Sequence, residues 1–245
     1  MTRDKTITWS LETLRTIRID LDQRRTVKNV SYKINDQNYE TTLELDSHAD
    51  TCVLGRDALI ILDYQRPVNV VGYDESLGTK TYATVSGVVA YDDPRTGRTL
   101  HLVIHQAIHI PHLDHHLLCP MQCRVNDVIV NDLPKFLASD PTDQTHALAI
   151  KDPDNPLQPV TLPLNLRGVT SLLYVRPVTI DEFHSLDHPR LHLTSETLTW
   201  DPSTTLYEEQ ETAMIDYSGN ITSNAVVRGP SQTFIINELL SLTNG

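Results

Sequence analysis

A strong turn signal between two β-rich runs is the feature that most constrains the fold of this chain. Residues 81–91 and 99–110 are rich in Val, Thr, Ile and Tyr, and Asp92, Asp93, Pro94 and Gly97 lie between them. Pro presets one backbone dihedral of a turn and Gly relieves another, so the segment predicts an antiparallel hairpin.

Further β-rich runs surround this hairpin and favour an all-β fold. Residues 27–34 and 39–45 flank a turn at 35–37, and the second run alternates apolar and polar side chains, which suits a strand with one buried face. Another strand starts at 68–71, residues 72–78 predict a loop, and a short apolar strand is expected at 126–130.

The composition changes after about residue 138, which indicates a separate C-terminal region. Its apolar runs are 146–150 and 160–164, and residues 164–169 predict a hairpin whose strands reach residue 175. From Arg176 onward the chain is acidic and rich in hydroxyl residues, so we expect a linker around 192–202, with short helices at 208–214 and 231–240. The predicted organisation is an N-terminal arm (1–24), a β domain (25–137) and a mixed β and linker extension (138–245).

Charge and composition exclude several classes of protein. The net charge of −12 argues against direct nucleic-acid binding, because phosphate contacts need clustered Lys and Arg. There is no long apolar run for a membrane span and no secretory signal, so we expect a cytoplasmic protein. The three cysteines, Cys52, Cys119 and Cys123, suit reduced thiols rather than a disulfide framework.

The most informative motif follows the strand that ends at Leu45. It reads Asp46-Ser47-His48-Ala49-Asp50-Thr51, and the apolar pair Val53-Leu54 comes soon after it. This pattern resembles the active-site motif of retroviral and retrotransposon aspartic proteases, in which an apolar strand leads into Asp-Thr/Ser-Gly-Ala, often followed by Asp. Only His48 departs from it, because the family has Gly there.

A second stretch strengthens the resemblance. Ile110-Pro111 and, after a short polar stretch, Leu117-Leu118 are similar to a signature of copia-type elements, with His116 where Asn is usual. The resemblance covers residues from about 27 to 137. It implies a retropepsin-like closed barrel that forms homodimers, and endopeptidase cleavage of the element's own polyprotein without a metal or organic cofactor. The extension would then lead towards an integrase.

The resemblance also implies roles for the motif residues. Two copies of Asp46, one from each chain, would activate a water molecule, and Ser47 would hydrogen-bond across the dimer axis. His48, Ala49 and Asp50 would line the substrate site. The hairpin region between residues 70 and 103 would supply a flap, with its tip at 72–78 or at 92–97.

His48 leaves three readings open. The family's Gly permits a tight turn and brings a backbone N–H near the carboxylates, whereas an imidazolium ring would favour ionised carboxylates. The chain is therefore an active variant with an altered pH profile, a decayed protease, or a catalytically inactive, retroelement-derived dimerisation and binding domain.

Two other kinds of site are less consistent with the sequence than the protease. His101, His105 and His109 have the same parity on one predicted strand, so they are expected to share a face without forming a tetrahedral zinc pocket. Cys52 lies close to His48 in sequence, but a catalytic Cys needs a His that the fold brings to it. We expect a buried free thiol at Cys52 and no metal site.

Overall fold

The computed structural model describes residues 41–71, 78–152 and 159–221, and most of this chain is β-structure. Strands account for 43% of the described residues and helices for 13%, which confirms the expected β class. Four expectations lie outside the described residues: the arm at 1–24, the strand at 27–34, most of the loop at 72–78 and the helix at 231–240.

Twelve strands and three α-helices are defined in the described ranges. The strands are β1 Thr41–Leu45, β2 Val53–Leu54, β3 Leu59–Val71, β4 Thr79–Asp92, β5 Thr99–His109, β6 His116–Leu118, β7 Ile129–Asn131, β8 Ala147–Ile150, β9 Val160–Pro163, β10 Asn165–Arg167, β11 Thr170–Val175 and β12 Arg190–His192. The helices are α1 Pro120–Val125, α2 Ile180–His184 and α3 Leu206–Ala213, and a short 3-10 helix spans Lys135–Leu137.

The expected hairpin around residues 92–97 is confirmed as β4 and β5. Its turn is closed by local hydrogen bonds: the Gly97 N–H donates to the Asp93 carbonyl oxygen at 2.8 Å, and the Thr96 hydroxyl donates to the Asp93 carboxylate at 2.9 Å. Gly97 has a φ of 69°, a left-handed conformation that glycine adopts without strain.

Nine strands form the main sheet, and its strand order brings distant segments together. The order is β10-β11-β1-β6-β2-β5-β4-β3, with β12 attached to β5. Ala90 of β4 and Arg176, just beyond β11, exchange two backbone hydrogen bonds. This isolated bridge connects two strands that are far apart in the strand order. Among the described residues this single bridge does not make the closed barrel that the resemblance implies.

A second, smaller sheet contains the strands β7, β8 and β9. Helix α1 precedes it. Cys119 caps the helix, because its sulfur accepts the Gln122 N–H, and Pro120 is the first helical residue, where its missing N–H costs nothing. Leu148, Leu162 and Val130 of this sheet join the same apolar cluster as the main sheet.

Opposite faces of β4 and β5 contribute to two apolar clusters. Leu102 and Ile104 belong to the large core cluster, while Val88 and Val103 belong to a smaller cluster that includes Val178. The alternation is what a strand covered on both faces requires. β5 is therefore buried along most of its length.

The C-terminal region contributes strands to the main sheet. The expected hairpin near 164–175 is confirmed as β10 and β11, and β11 pairs antiparallel with β1. β12 pairs in parallel with β5, and Leu191 and Leu193 are almost completely buried. The linker expected around 192–202 is therefore wrong at its start, because Leu193 and Thr194 are buried.

The expected helix near 208–214 is confirmed as α3. No helix in the described ranges is both long and apolar enough to cross a membrane.

Candidate active site

Strand β1 delivers Asp46 to the surface of the main sheet. β1 pairs in parallel with β6, with Leu45 opposite Leu118, and the Asp46 N–H extends this ladder by donating to the Leu118 carbonyl oxygen at 3.0 Å. β2 pairs with the other edge of β6 at Val53 and Leu117. β6, which contains Leu117 and Leu118 of the second family-like stretch, thus lies between the two strands that flank the Asp46 motif.

The motif forms a short loop that the Asp46 side chain helps to close. The His48 N–H donates to Asp46 Oδ1 at 2.9 Å, and the Ala49 N–H donates to the Asp46 carbonyl oxygen at 3.3 Å. Ser47, His48 and Asp50 are exposed, whereas Asp46 and Ala49 are half-buried. The structure thus brings the five expected site residues together on one accessible loop.

His48 fits this loop without the special conformation for which glycine is usually required. The non-glycine residues of the described ranges with positive φ are Gln65, Gln106, Asp127 and His146, so His48 is not among them. Its N–H still points at the Asp46 carboxylate, and its exposed ring has Nδ1 at 3.4 Å from the Ser47 hydroxyl. The departure from Gly therefore leaves the backbone donor to Asp46 in place.

Gln122 of α1 supports the loop from inside the protein. The Cys52 N–H donates to Gln122 Oε1 at 2.8 Å, and Gln122 Nε2 lies 3.3 Å from the carbonyl oxygens of His105 and Gln106. Gln122 is buried, so its amide satisfies backbone groups that water does not reach. Sequence reasoning missed this residue.

Trp200 supports the loop from the C-terminal region. Its indole Nε1–H donates to the Asp50 carbonyl oxygen at 3.0 Å and lies 3.2 Å from the Thr51 hydroxyl. Its backbone N–H donates to Gln106 Oε1 at 2.9 Å, and Gln106 Nε2 donates to the Leu198 carbonyl oxygen. An isolated Trp in an otherwise polar segment was the available signal for this role.

Gly55 and His116 fix the chain just beyond the motif. The Gly55 N–H donates to His116 Nδ1 at 3.0 Å. A side chain at Gly55 would place Cβ 2.5 Å from the Leu113 carbonyl oxygen. Burial lowers the pKa of His116 to about 4, with a smaller contribution from His115, so its ring is neutral and acts as an acceptor at neutral pH.

The three cysteines are buried free thiols, which confirms the expected burial of Cys52. The Cys119 N–H donates to Cys52 Sγ at 3.2 Å. Burial raises the pKa of the Cys119 thiol to about 11 and raises the pKa of Cys123 well above its usual value. Protonated, inaccessible thiols are poor nucleophiles, which disfavours cysteine chemistry at Cys119 and Cys123.

The expectation that three histidines of β5 share one face is wrong for His109. Gln106 has a φ of 52°, and the pairing of β4 and β5 shifts between Val85 and Gly87. Such a bulge reverses the alternation of side chains. His109 therefore lies on the same face of β5 as Ala107, which belongs to the large apolar cluster. His101 lies on the opposite face.

His101 instead lies beside residues of the C-terminal region. One possible ligand atom from each of His101, Glu182 and His188 lies within 4.8 Å of the other two. His101 is fully buried, and burial lowers its pKa, with a further contribution from His188. The sequence does not suggest this group, because Glu182 and His188 lie in the C-terminal region, about eighty residues from His101 in the chain.

The two expected flap tips differ in their surroundings. The turn after β4 is tied down, because Arg95 Nη2 donates to the Thr161 carbonyl oxygen at 2.6 Å and Asp93 is buried. The tip between β3 and β4, at residues 72–77, lies outside the described residues. A shallow depression of about 340 Å³ is lined by residues of β3 and β4, including Arg66 and Tyr82. No residue of the Asp46 loop lines it.

Comparison of the chain with protein-family models, curated proteins and solved structures gave no match.

Proposed function

We propose that this protein is an aspartic endopeptidase of the retropepsin type that acts as a homodimer on the polyprotein of a copia-type retrotransposon. The observation that carries the proposal is the position of β6 between β1 and β2. The two stretches that resemble the family are about seventy residues apart in sequence, yet they are joined through the hydrogen bond from Asp46 to Leu118. Chance resemblance of two unrelated segments gives no reason for such contact.

The chemistry requires two carboxylates at one water molecule. One carboxylate takes a proton from the water while the other donates a proton to the scissile carbonyl oxygen. Like charges in contact do not both ionise readily, so the pair shares one proton. In this chain the pair consists of Asp46 and its symmetry mate, and the His48 N–H holds each Asp46 in place.

A second copy of the chain is the best source of the second carboxylate. Within the chain, Asp216 in the segment Asp216-Tyr217-Ser218-Gly219 is a weaker candidate, because it lies in an exposed turn and accepts the N–H groups of Ser218 and Asn220. Ser47, His48 and Asp50 are exposed in the single chain. A partner that covers this loop would exclude water from the dyad and complete a cleft for an extended peptide.

The β3–β4 hairpin is the better candidate for the flap. The tip after β4 is anchored to β9 through Arg95 and cannot move over a substrate without breaking that hydrogen bond. Much of β3 is exposed, and among the described strands it pairs with β4 alone. Such a hairpin moves at lower cost than one that is packed on both faces.

Cleavage of a peptide library across mildly acidic pH tests the proposal. We compare the wild type with Asp46→Asn and His48→Gly, and with Asp143→Asn as a control at an exposed turn. We expect the wild type and Asp143→Asn to cut, Asp46→Asn to be inactive, and a pepstatin-type inhibitor to block cutting. If the wild type forms a dimer but only the His48→Gly variant cuts, the protein is a decayed protease. If no variant cuts, the proposal fails in favour of the inactive binding domain.

Mixing experiments test the shared dyad. With equal amounts of wild type and Asp46→Asn, random pairing leaves about one quarter of the dimers with two Asp46 residues, so activity falls to about one quarter of that of an all-wild-type sample. A site contained in one chain would retain about half. The second result would contradict the dimeric mechanism even if the protein is a protease.

A further inference from the structure

His101 on β5 lacks the partners that a buried polar ring needs. The residue is 0% exposed, and neither Nδ1 nor Nε2 has a hydrogen-bond partner among the described residues. A buried polar group without a partner destabilises the folded state, because it has lost its hydrogen bonds to water without replacement. Something that satisfies the ring would therefore stabilise the fold.

Two further ligand-type side chains face this ring from different elements. Glu182 lies on α2, and His188 lies in the loop before β12; their ligand atoms and that of His101 are all within 4.8 Å of one another. The distance from His101 Nε2 to Glu182 Oε1 is 3.9 Å. A tetrahedral zinc ion with bonds near 2.1 Å separates its ligands by about 3.4 Å, so only a small closure is needed.

The charges around the group are compatible with a cation. Arg176 Nη2 donates to Glu182 Oε1 at 2.6 Å and Nη1 donates to Oε2 at 3.0 Å, while the same guanidinium also binds Asp92. The two carboxylates outweigh the Arg176 guanidinium by one negative charge, and the Arg190 guanidinium, which also acts on His101, brings the sum to zero before an ion is added. The guanidinium also fixes the orientation of Glu182, as outer partners of metal ligands commonly do.

The remaining neighbours of the three residues are an aromatic ring and a second guanidinium. The His101 ring stacks on Phe183 with 6.2 Å between centroids, and the Arg190 guanidinium lies 4.1 Å from the Phe183 ring centroid. The His101 and His188 ring centroids are 5.1 Å apart at an interplanar angle of 59°. The two rings are thus tilted rather than stacked face to face.

We propose that His101, Glu182 and His188 bind a divalent transition-metal ion of the zinc type, with water in the fourth position. Two imidazoles and one carboxylate favour Zn²⁺ or Co²⁺ over Mg²⁺ or Ca²⁺, which prefer oxygen ligands. The ion ties α2 and the loop before β12 to β5. The site does not depend on whether the Asp46 loop is proteolytic.

Metal titration of the full chain tests the site. The protein is stripped with a chelator, dialysed and titrated with Zn²⁺ by calorimetry, and with Co²⁺ by visible absorption, which reports the coordination geometry. We compare the wild type with His188→Gln, at a half-buried ligand, and with His184→Gln, a matched control at an exposed histidine of α2. Circular dichroism verifies that each variant is folded.

The wild type and His184→Gln should bind about one equivalent of Zn²⁺, and His188→Gln should bind it at least tenfold more weakly. Zn²⁺ should also raise the Tm of the wild type and of His184→Gln more than that of His188→Gln. The proposal is overturned if the wild type binds no stoichiometric ion. It is equally overturned if His188→Gln binds as tightly as the wild type, or if both variants lose binding to the same extent.

Discussion

The indole Nε1–H of Trp200 donates to the carbonyl oxygen of Asp50 at 3.0 Å, although the two residues are 150 positions apart in the chain. The loop that carries Asp46 is therefore held by the C-terminal region as well as by its own strands. Trp200 also stacks on Tyr207 of α3, with ring centroids 5.8 Å apart, which fixes the indole in place. The C-terminal region is thus part of the scaffold of the candidate site.

Trp200→Phe should weaken this support while it keeps an aromatic ring in the stack. Loss of the indole donor leaves the Asp50 carbonyl oxygen to water, and we expect a decrease of about 0.5–1.5 kcal/mol in the free energy of unfolding. The proposed proteolytic activity should fall by more than the loss of stability alone explains, because the loop loses its fixed position. Urea denaturation and peptide cleavage measure the two effects. Tyr207→Phe, which keeps the stack, should change neither, and an equal loss in this control would contradict the role of the indole donor.

Gln122→Met should be more harmful than its conservative shape suggests. Met fills a similar volume but offers no strong acceptor to the Cys52 N–H, which would stay buried without a partner. We expect a loss of about 1–3 kcal/mol in the free energy of unfolding, measured by urea denaturation. Met121→Gln is the matched control on the exposed face of the same helix and should be nearly neutral. Similar costs for both changes would show that Gln122 has no special supporting role.

Gly55→Ala should destabilise the protein through a backbone clash. A Cβ at this position would lie 2.5 Å from the Leu113 carbonyl oxygen and still closer to that of His115, and neither backbone group can rotate away like a side chain. We expect a cost of about 2–3 kcal/mol, seen as a lower Tm. Gly97→Asn provides the contrast, because Gly97 has open space and a left-handed φ that Asn tolerates. An equally large effect at Gly97 would mean that general loss of glycine, rather than the clash, is responsible.

Features governed by local chemistry could be predicted from the sequence. The hairpin of β4 and β5 follows from the Pro and Gly of its turn, and the hairpin of β10 and β11 follows from Gly168, which has a φ of 64°. The position of Asp46 directly after a strand also follows from the alternation in β1. These signals lie within a few residues of the structure that they determine.

Features governed by distant partners could not be predicted in this way. The pairing of β6 between β1 and β2 and of β12 with β5 depends on contacts between remote segments. Leu191 and Leu193 alternate with polar residues, but two leucines are too few to distinguish a strand from a linker. The bulge at Gln106 occurs without glycine, so no residue of β5 indicated that the side-chain alternation reverses there. This reversal places His109 and His101 on opposite faces.

His116→Asn should reduce the sensitivity of the fold to acid. The pKa of His116 is about 4 in the folded protein and near 6.5 when exposed, so the unfolded chain binds a proton first as the pH falls. The stability that the neutral ring provides is therefore complete above pH 6.5 and decreases towards pH 4, by about 3 kcal/mol in total. Asn can accept the Gly55 N–H but does not titrate, so the variant should lose less stability over this range in urea denaturation at stepped pH. His115→Asn, at the more exposed neighbour, serves as the control and should leave most of the acid dependence in place. A wild-type stability that stays constant between pH 6.5 and 4 would show that His116 is not held neutral by burial.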